Sequence, residues 1–304
     1  MRRRHAKHHE SPRYTRTSTK PLELDLKSAT PSGAGEADGA PPQAWDTASK
    51  PEFFQYYADE SLSERTLLRY TGIRDAVLRV IRPGSKRLRV ADIGCGAGTQ
   101  AYLWAESGHA FHGLDVNQPL IELARQRARE AGVEASFEVG SATALPWDDE
   151  SMDVCLLPEL LEHVAEWETC LDEAARVLVV GGVLYLSTTN KLCPKQGEFE
   201  LPMYSWYPAP LKRHFERLAT TSHPQLVNHA TYPAVNWFSF YGLRAFLEKR
   251  GFECMDRFDL AALGDHGALQ QTALRAVRSI PPLRLLAHVA TPYTAVLARK
   301  LRTI

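Results

Sequence analysis

The chain has 304 residues, enough for one large domain with extensions or a domain plus a subdomain. Its 44% hydrophobic and 24% charged residues are those of an ordinary globular protein, and 36 basic against 36 acidic side chains leave no global field for nucleic acid, so no such partner is expected. Five cysteines, Cys95, Cys155, Cys170, Cys193 and Cys254, form no CxxC pair, which argues against a thiolate zinc site and for reduced thiols in a cytoplasmic protein. No apolar run reaches the roughly 18 residues of a spanning helix.

Residues 1–44 open with Arg2, Arg3, Arg4, His5, Lys7, His8 and His9 and continue in Pro, Gly, Ser and Ala. With almost no large apolar side chains they read as a disordered basic leader. A basic arm for anionic lipid or nucleic acid and a histidine metal cluster stand as alternatives. Order is expected from Trp45, and a catalytic domain over 45–262. Within it a helix-like run over 73–81 is stopped by Pro83-Gly84. Strand and helix patterns then alternate: strands at 89–93, 110–114 and 136–139, with helices at 100–107 and 119–131 between them. Asn117 caps the second helix and Gly132 closes it. A buried strand at 152–157, a helix at 166–178, a Gly181-Gly182 turn and a strand at 183–187 follow. Such alternation predicts an α/β fold of parallel βαβ units, doubly wound.

Over 191–238 the prolines Pro194, Pro202, Pro208 and Pro210 fall among Phe199, Met203, Tyr204, Trp206 and Tyr207, which predicts an irregular aromatic insertion covering the site as a lid. Trp147, Tyr204, Trp206, Tyr207, Trp237, Phe238 and Tyr241 are candidate pocket walls for a planar or lipophilic acceptor, and also ordinary core candidates. A helix over 240–250 and a final strand near 252–258 complete the domain. Residues 263–304 carry Arg275, Arg278, Arg284, Arg299, Lys300 and Arg302 and no acid beyond Asp265, interleaved with Leu283, Leu285, Leu286, Val289, Tyr293, Val296, Leu297 and Leu301. They read as a basic, amphipathic, helical C-terminal extension suited to peripheral contact with the inner membrane face, or to docking on the enzyme or on a second copy.

The strand ending in Asp92-Ile93 runs into Gly94-Cys95-Gly96-Ala97-Gly98, three residues without side chains at the carboxyl end of a parallel sheet, where backbone approaches a ligand closely. Asp115 ends the next strand, at the position from which a carboxylate accepts from both ribose hydroxyls. A dinucleotide fingerprint would place its third glycine at Thr99, so no pyrophosphate cradle is spelled out. This spacing resembles motif I of the class I S-adenosylmethionine methyltransferases, and Gly113-Leu114-Asp115-Val116 resembles their acidic second motif. The similarity extends over about 65–190. The resemblance implies a Rossmann-like, mostly parallel seven-stranded sheet and S-adenosyl-L-methionine as cofactor. It places Asp92, Gly94, Gly96, Gly98, Asp115, Val116, Ser141, Ala142 and Pro158 around that cofactor, with Ser141 where many relatives carry an acid.

Glu159-Leu160-Leu161-Glu162-His163 follows the fourth strand, and a helical turn there would bring Glu159, Glu162 and His163 together. The run resembles the Glu-x-x-Glu-His segment of ubiquinone-biosynthesis O-methyltransferases, which implies a divalent metal, Mg²⁺, Mn²⁺ or Zn²⁺, on those three residues. A Lewis acid would hold a phenol, of pKa about 10, as its anion. His163, with Glu162 beside it, is equally readable as a general base. Simple dressing of a helix amino terminus after Pro158 explains the glutamates as well. The expected activity is methylation of a phenolic or enolic oxygen on a small or lipophilic acceptor. Methyl transfer to carbon or nitrogen, a non-catalytic cofactor-binding partner, and an NAD-dependent oxidoreductase are the rival classes.

Overall fold

The computed structural model describes residues 51–82, 84, 86–227, 234–261 and 267–303. The leader expected over 1–44 and the start of order at Trp45 lie outside them. All described residues belong to one compact unit, Pro42–Ile304.

Two helices, α1 (Pro51–Glu60) and α2 (Glu64–Ile81), precede the sheet, and Ser63 caps the second by accepting from the Thr66 amide at 3.2 Å. The alternating segment gives β1 (Arg89–Ile93), α3 (Thr99–Glu106), β2 (Ala110–Asp115), α4 (Gln118–Glu130), β3 (Ala135–Val139), β4 (Met152–Pro158), α5 (Trp167–Val177) and β5 (Leu178–Thr189). Strands β1 to β5 pair in parallel. Every residue of β4 is buried, as a central strand covered on both faces requires.

Beyond β5 the chain forms α6 (Ala209–Thr221), α7 (Phe240–Lys249), β6 (Phe252–Asp256), the short α8 (Arg257–Leu260), α9 (Ala268–Ser279), α10 (Pro281–Val289) and β7 (Tyr293–Lys300). The seven strands lie in the order β3-β2-β1-β4-β5-β7-β6, with β7 antiparallel to both neighbours. This is the doubly wound, mostly parallel sheet expected. One core packs α5 and α7 on one face through Leu171, Ala174, Leu243 and Leu247; the other packs α2, α3 and α4 through Val77, Trp104 and Ile121.

Two expectations are corrected. The chain after residue 263 is no appended helical extension: β7 lies inside the sheet, with Val296 and Leu297 fully buried. Its Lys300 is also buried, donating to the carbonyls of Ala175 at 2.9 Å and Leu178 at 2.7 Å at the end of α5. Arg284 pairs with Asp256 at 2.7 Å, and Arg278 donates to the carbonyls of Phe258, Asp259 and Ala261. Much of the basic character therefore serves the fold. The aromatic insertion is also more regular than its prolines suggested, because Pro208 and Pro210 stand at the start of α6, where a missing amide costs nothing. It has its own small core of Phe199, Tyr204 and Ala219, with Phe199 and Tyr204 stacked at 4.0 Å.

Candidate active site

The turn after β1 is held by Leu114, whose carbonyl accepts from the amides of Gly94 at 2.8 Å and Cys95 at 3.0 Å. Gly94, Gly96 and Gly98 all have positive φ, +79°, +51° and +72°. Their surroundings differ. A Cβ on Gly98 would lie 2.7 Å from the Phe137 ring and 2.8 Å from Ala124, and one on Gly94 would lie 2.9 Å from Leu160. Around Gly96 there is nothing within 4 Å. The outer glycines thus allow close packing, while the middle one faces open space where a ligand can meet the backbone.

Asp115 ends β2 beside that space. Its Oδ2 accepts from the Gly96 amide and its Oδ1 from the Asn117 amide, both at 2.8 Å. Burial raises its pKa, opposed by those amides and that of Val116. Asp92, 2% exposed, accepts from Gln100 Nε2 at 2.8 Å; burial pushes its carboxyl up to about 7, with the Asp115 charge adding to the rise. The Cys95 thiol is pushed up by burial and by both carboxylates, so it is an inert neighbour. The Gly140 amide donates to the Asp115 carbonyl at 3.0 Å, which brings the next turn alongside. In that turn Ser141 Oγ lies 2.8 Å from Thr143 Oγ1 and accepts from the Thr143 amide, while Ala142 packs into the core. The open face at Gly96 and the paired oxygens of Asp115 fit S-adenosylmethionine.

The rim after β4 differs from the sequence expectation. Pro158 ends the strand, paired with Ser187, and residues 159–166 form turns, with α5 starting only at Trp167. Without a helical turn, Glu159, Glu162 and His163 point to three environments. Glu159, at φ +55°, forms an ion pair with Arg69 of α2. Glu162 turns inward, 2% exposed, and accepts from Thr188 Oγ1 at 2.8 Å; burial raises its carboxyl well above the usual range. Burial lowers His163 to about 4. Among the described residues no group of three or more His, Cys, Asp or Glu side chains is placed to hold a metal ion. The expected three-residue metal site is thus not assembled, and burial moves His163 away from the value that made it attractive as a base.

Three rim groups were not anticipated. Arg69 and Tyr70 stand on α2, with the Arg69 guanidinium 4.8 Å above the Tyr70 ring. Burial pushes the Tyr70 phenol up to about 12. The end of α1 and the turn that leads into α2 are tied to α3 and α4: the Ser61 carbonyl accepts from Thr99 Oγ1, and Arg127 of α4 donates to Ser61 Oγ and the Ala58 carbonyl, each at 2.9 Å. Glu198, from the insertion, is pushed up to about 7 by burial and then by the Glu159 charge. Gln196 Oε1 fixes its turn by accepting from the amides of Glu198 at 2.7 Å and Phe199 at 2.8 Å. None of the three has a local sequence signal. Of the aromatic wall candidates, Tyr204 and Phe238 are core and Trp147 packs beside α5, leaving Trp206, Tyr207, Trp237 and Tyr241 nearer the surface.

Residues 91–186 match the family described as a methyltransferase domain. The matched segment runs from β1 into β5 and takes in the glycine turn and Asp115, so the likeness to methyltransferases rests on the cofactor half of the sheet. It is similar to the ubiquinone biosynthesis O-methyltransferase of Chelativorans sp. (strain BNC1), with 36% identity over 104 residues, 34% of this chain and 41% of that protein. The enzyme of the same name from Parvibaculum lavamentivorans is 34% identical over 150 residues, 48% of this chain and 57% of that protein. The chain thus spans about half the length of these curated relatives. A solved protein of Pyrococcus horikoshii shares the fold, at 17% identity and a TM-score of 0.51 over 81% of this chain and 98% of that one.

Proposed function

We propose that the protein methylates a phenolic or enolic oxygen of a small, lipophilic acceptor. The observation that carries the reading is the open face of Gly96 beside the paired oxygens of Asp115. The names of the similar O-methyltransferases support oxygen as the acceptor atom. S-adenosylmethionine supplies an electrophilic methyl group when bound. Asp115 would receive the ribose hydroxyls, and the Ser141 turn would border the base. Arg69 would take the amino-acid carboxylate, leaving Glu159: a half-exposed ion pair of this kind contributes only about 0–1 kcal/mol, so the exchange costs little.

Proton removal from the acceptor falls to Glu198 in this reading. His163 is held near 4, Glu162 is buried against Thr188 and Glu159 is paired, whereas a carboxyl near 7 suits proton transfer at neutral pH. A divalent metal would require Glu159, Glu162 and His163 to turn toward one another. Labelled methyl donor with 3,4-dihydroxybenzoate and with host extract, with and without chelator, tests the scheme. Label in a methoxy product that Glu198→Gln lowers at least tenfold supports it. Donor binding with no labelled product from any source leaves a non-catalytic partner as the better reading, and chelator-sensitive turnover favours the metal.

A second partner proposal concerns α9 and α10, which expose Leu269 (84%) and Leu286 (62%) and carry Arg275 in addition to the Arg278 and Arg284 already used by the fold. These favour peripheral contact with an anionic membrane. Flotation with phosphatidylglycerol vesicles that Leu286→Glu abolishes would support it. No described helix is long and apolar enough to cross a membrane.

A further inference from the structure

Between the insertion and α10 lies an open groove of about 730 Å³, lined among others by Lys191, Trp206, Lys212, Trp237, Leu285 and Val289. That volume suits one small molecule, and its chemistry is divided. Leu285 and Val289 of α10 and the exposed indole of Trp206, whose Nε1 donates to the Leu192 carbonyl at 3.0 Å, supply its apolar lining. Lys191 and Lys212 also line it. Lys212 Nζ lies 4.5 Å from the Trp237 ring centre and donates a hydrogen bond, 2.9 Å, to the Ser205 carbonyl.

Hydrogen bonds tie α10 to the chain at the base of the groove. Asn190, where the insertion leaves β5, donates to the carbonyls of His288 at 2.8 Å and Thr291 at 2.7 Å, and so holds α10 against its base. Two cations are thereby kept side by side on a partly apolar surface. Burial lowers Lys212 to about 8, Glu216 opposes the shift and the Lys191 charge adds to it. An anion between the ammonium groups relieves both the repulsion and the lost hydration.

We propose that this groove binds a single-chain amphiphilic acid, its anionic head between Lys191 and Lys212 and its apolar chain along Trp206, Leu285 and Val289. The concavity and size favour one molecule over a bilayer surface. The binding claim is independent of methyl transfer; its bearing on the acceptor rests on the proposed function. Trp237 follows Asn236, whose side chain donates to the carbonyls of Leu161 and Val164 in the rim turn, so the groove adjoins the rim.

Isothermal titration calorimetry of the full chain with dodecanoate and with dodecanol, without methyl donor, tests the proposal. The expected result is one dodecanoate per chain, with dodecanol at least about tenfold weaker, the worth of one charge-assisted hydrogen bond. Lys212→Met should weaken dodecanoate by about the same factor. Ala209→Glu adds a negative charge at the groove lip and at a helix amino terminus that welcomes it, so it should abolish binding without lowering the melting temperature. Equal affinity for acid and alcohol, unchanged binding in Ala209→Glu, or binding to phosphatidylglycerol vesicles without binding of dodecanoate overturns it. Should dodecanoate bind as described while no acceptor is methylated, the groove stands and the proposed activity falls.

Discussion

Arg69 on α2 pairs with Glu159 at the end of β4, joining the helix that precedes the sheet to the edge at which the proposed reaction takes place. If Arg69 exchanges this partner for the carboxylate of S-adenosylmethionine, Arg69→Ala should lower donor affinity by about tenfold or more in calorimetry. Glu159→Gln, which leaves the guanidinium without its competitor, should bind the donor as tightly as the parent or more so. Equal weakening by both substitutions would contradict the exchange.

The glycine turn allows a sharper contrast. Gly96→Ala meets no atom and bears only the cost of a positive φ, about 1 kcal/mol, yet it should abolish donor binding because its methyl group enters the ligand's space. Gly98→Ala drives a carbon into Phe137 and Ala124 and should lose about 3 kcal/mol or more of stability. Thermal melts beside donor titrations of the two variants check the pair.

These positions show how far local sequence reaches. The glycine spacing and Asp115 could be read directly, because a strand, its turn and the next strand end are specified within one βαβ unit. Arg69 could not: its partner is 90 positions away, and an arginine on an amphipathic helix looks like surface. The Glu159 to His163 run misled for a different reason. Its three- and four-residue spacing has meaning only on a helix, and Pro158 ends a strand instead of starting one. In β7 the alternation of cations with apolar residues suggested an amphipathic surface, whereas Lys300 is buried with its ammonium on two helix-end carbonyls.

Asp92 should make stability depend on pH in an unusual direction. Its carboxyl titrates near 7 in the folded protein and near 3.9 in an unfolded chain, so the folded state holds an extra proton between these values. Stability from this group is complete below about pH 4 and falls as pH rises toward 7. Asp92→Asn keeps an oxygen for Gln100 and cannot ionise. It should be more stable than the parent at pH 8, by about 1–4 kcal/mol in urea unfolding, and similar near pH 4. A larger gain at pH 4 than at pH 8 would contradict this assignment.

Lys300→Met tests the buried ammonium. The two carbonyls it serves lose their donor, at about 1–3 kcal/mol each, partly offset by the desolvation no longer imposed on a charge. A net loss of about 2–4 kcal/mol is expected in chemical denaturation. A variant as stable as the parent would show the carbonyls to be served in another way.

The position of β7 also bears on how the chain is made. Among the described residues β6 has only β7 as its sheet neighbour, and α8, α9 and α10 lie between the two in sequence. On the ribosome β6 therefore emerges before the strand that pairs with it, with three helices to be synthesised in between. Only then does β7 slot between β5 and β6. Nascent chains halted before Tyr293 should present β6 and the outer edge of β5 to chaperones.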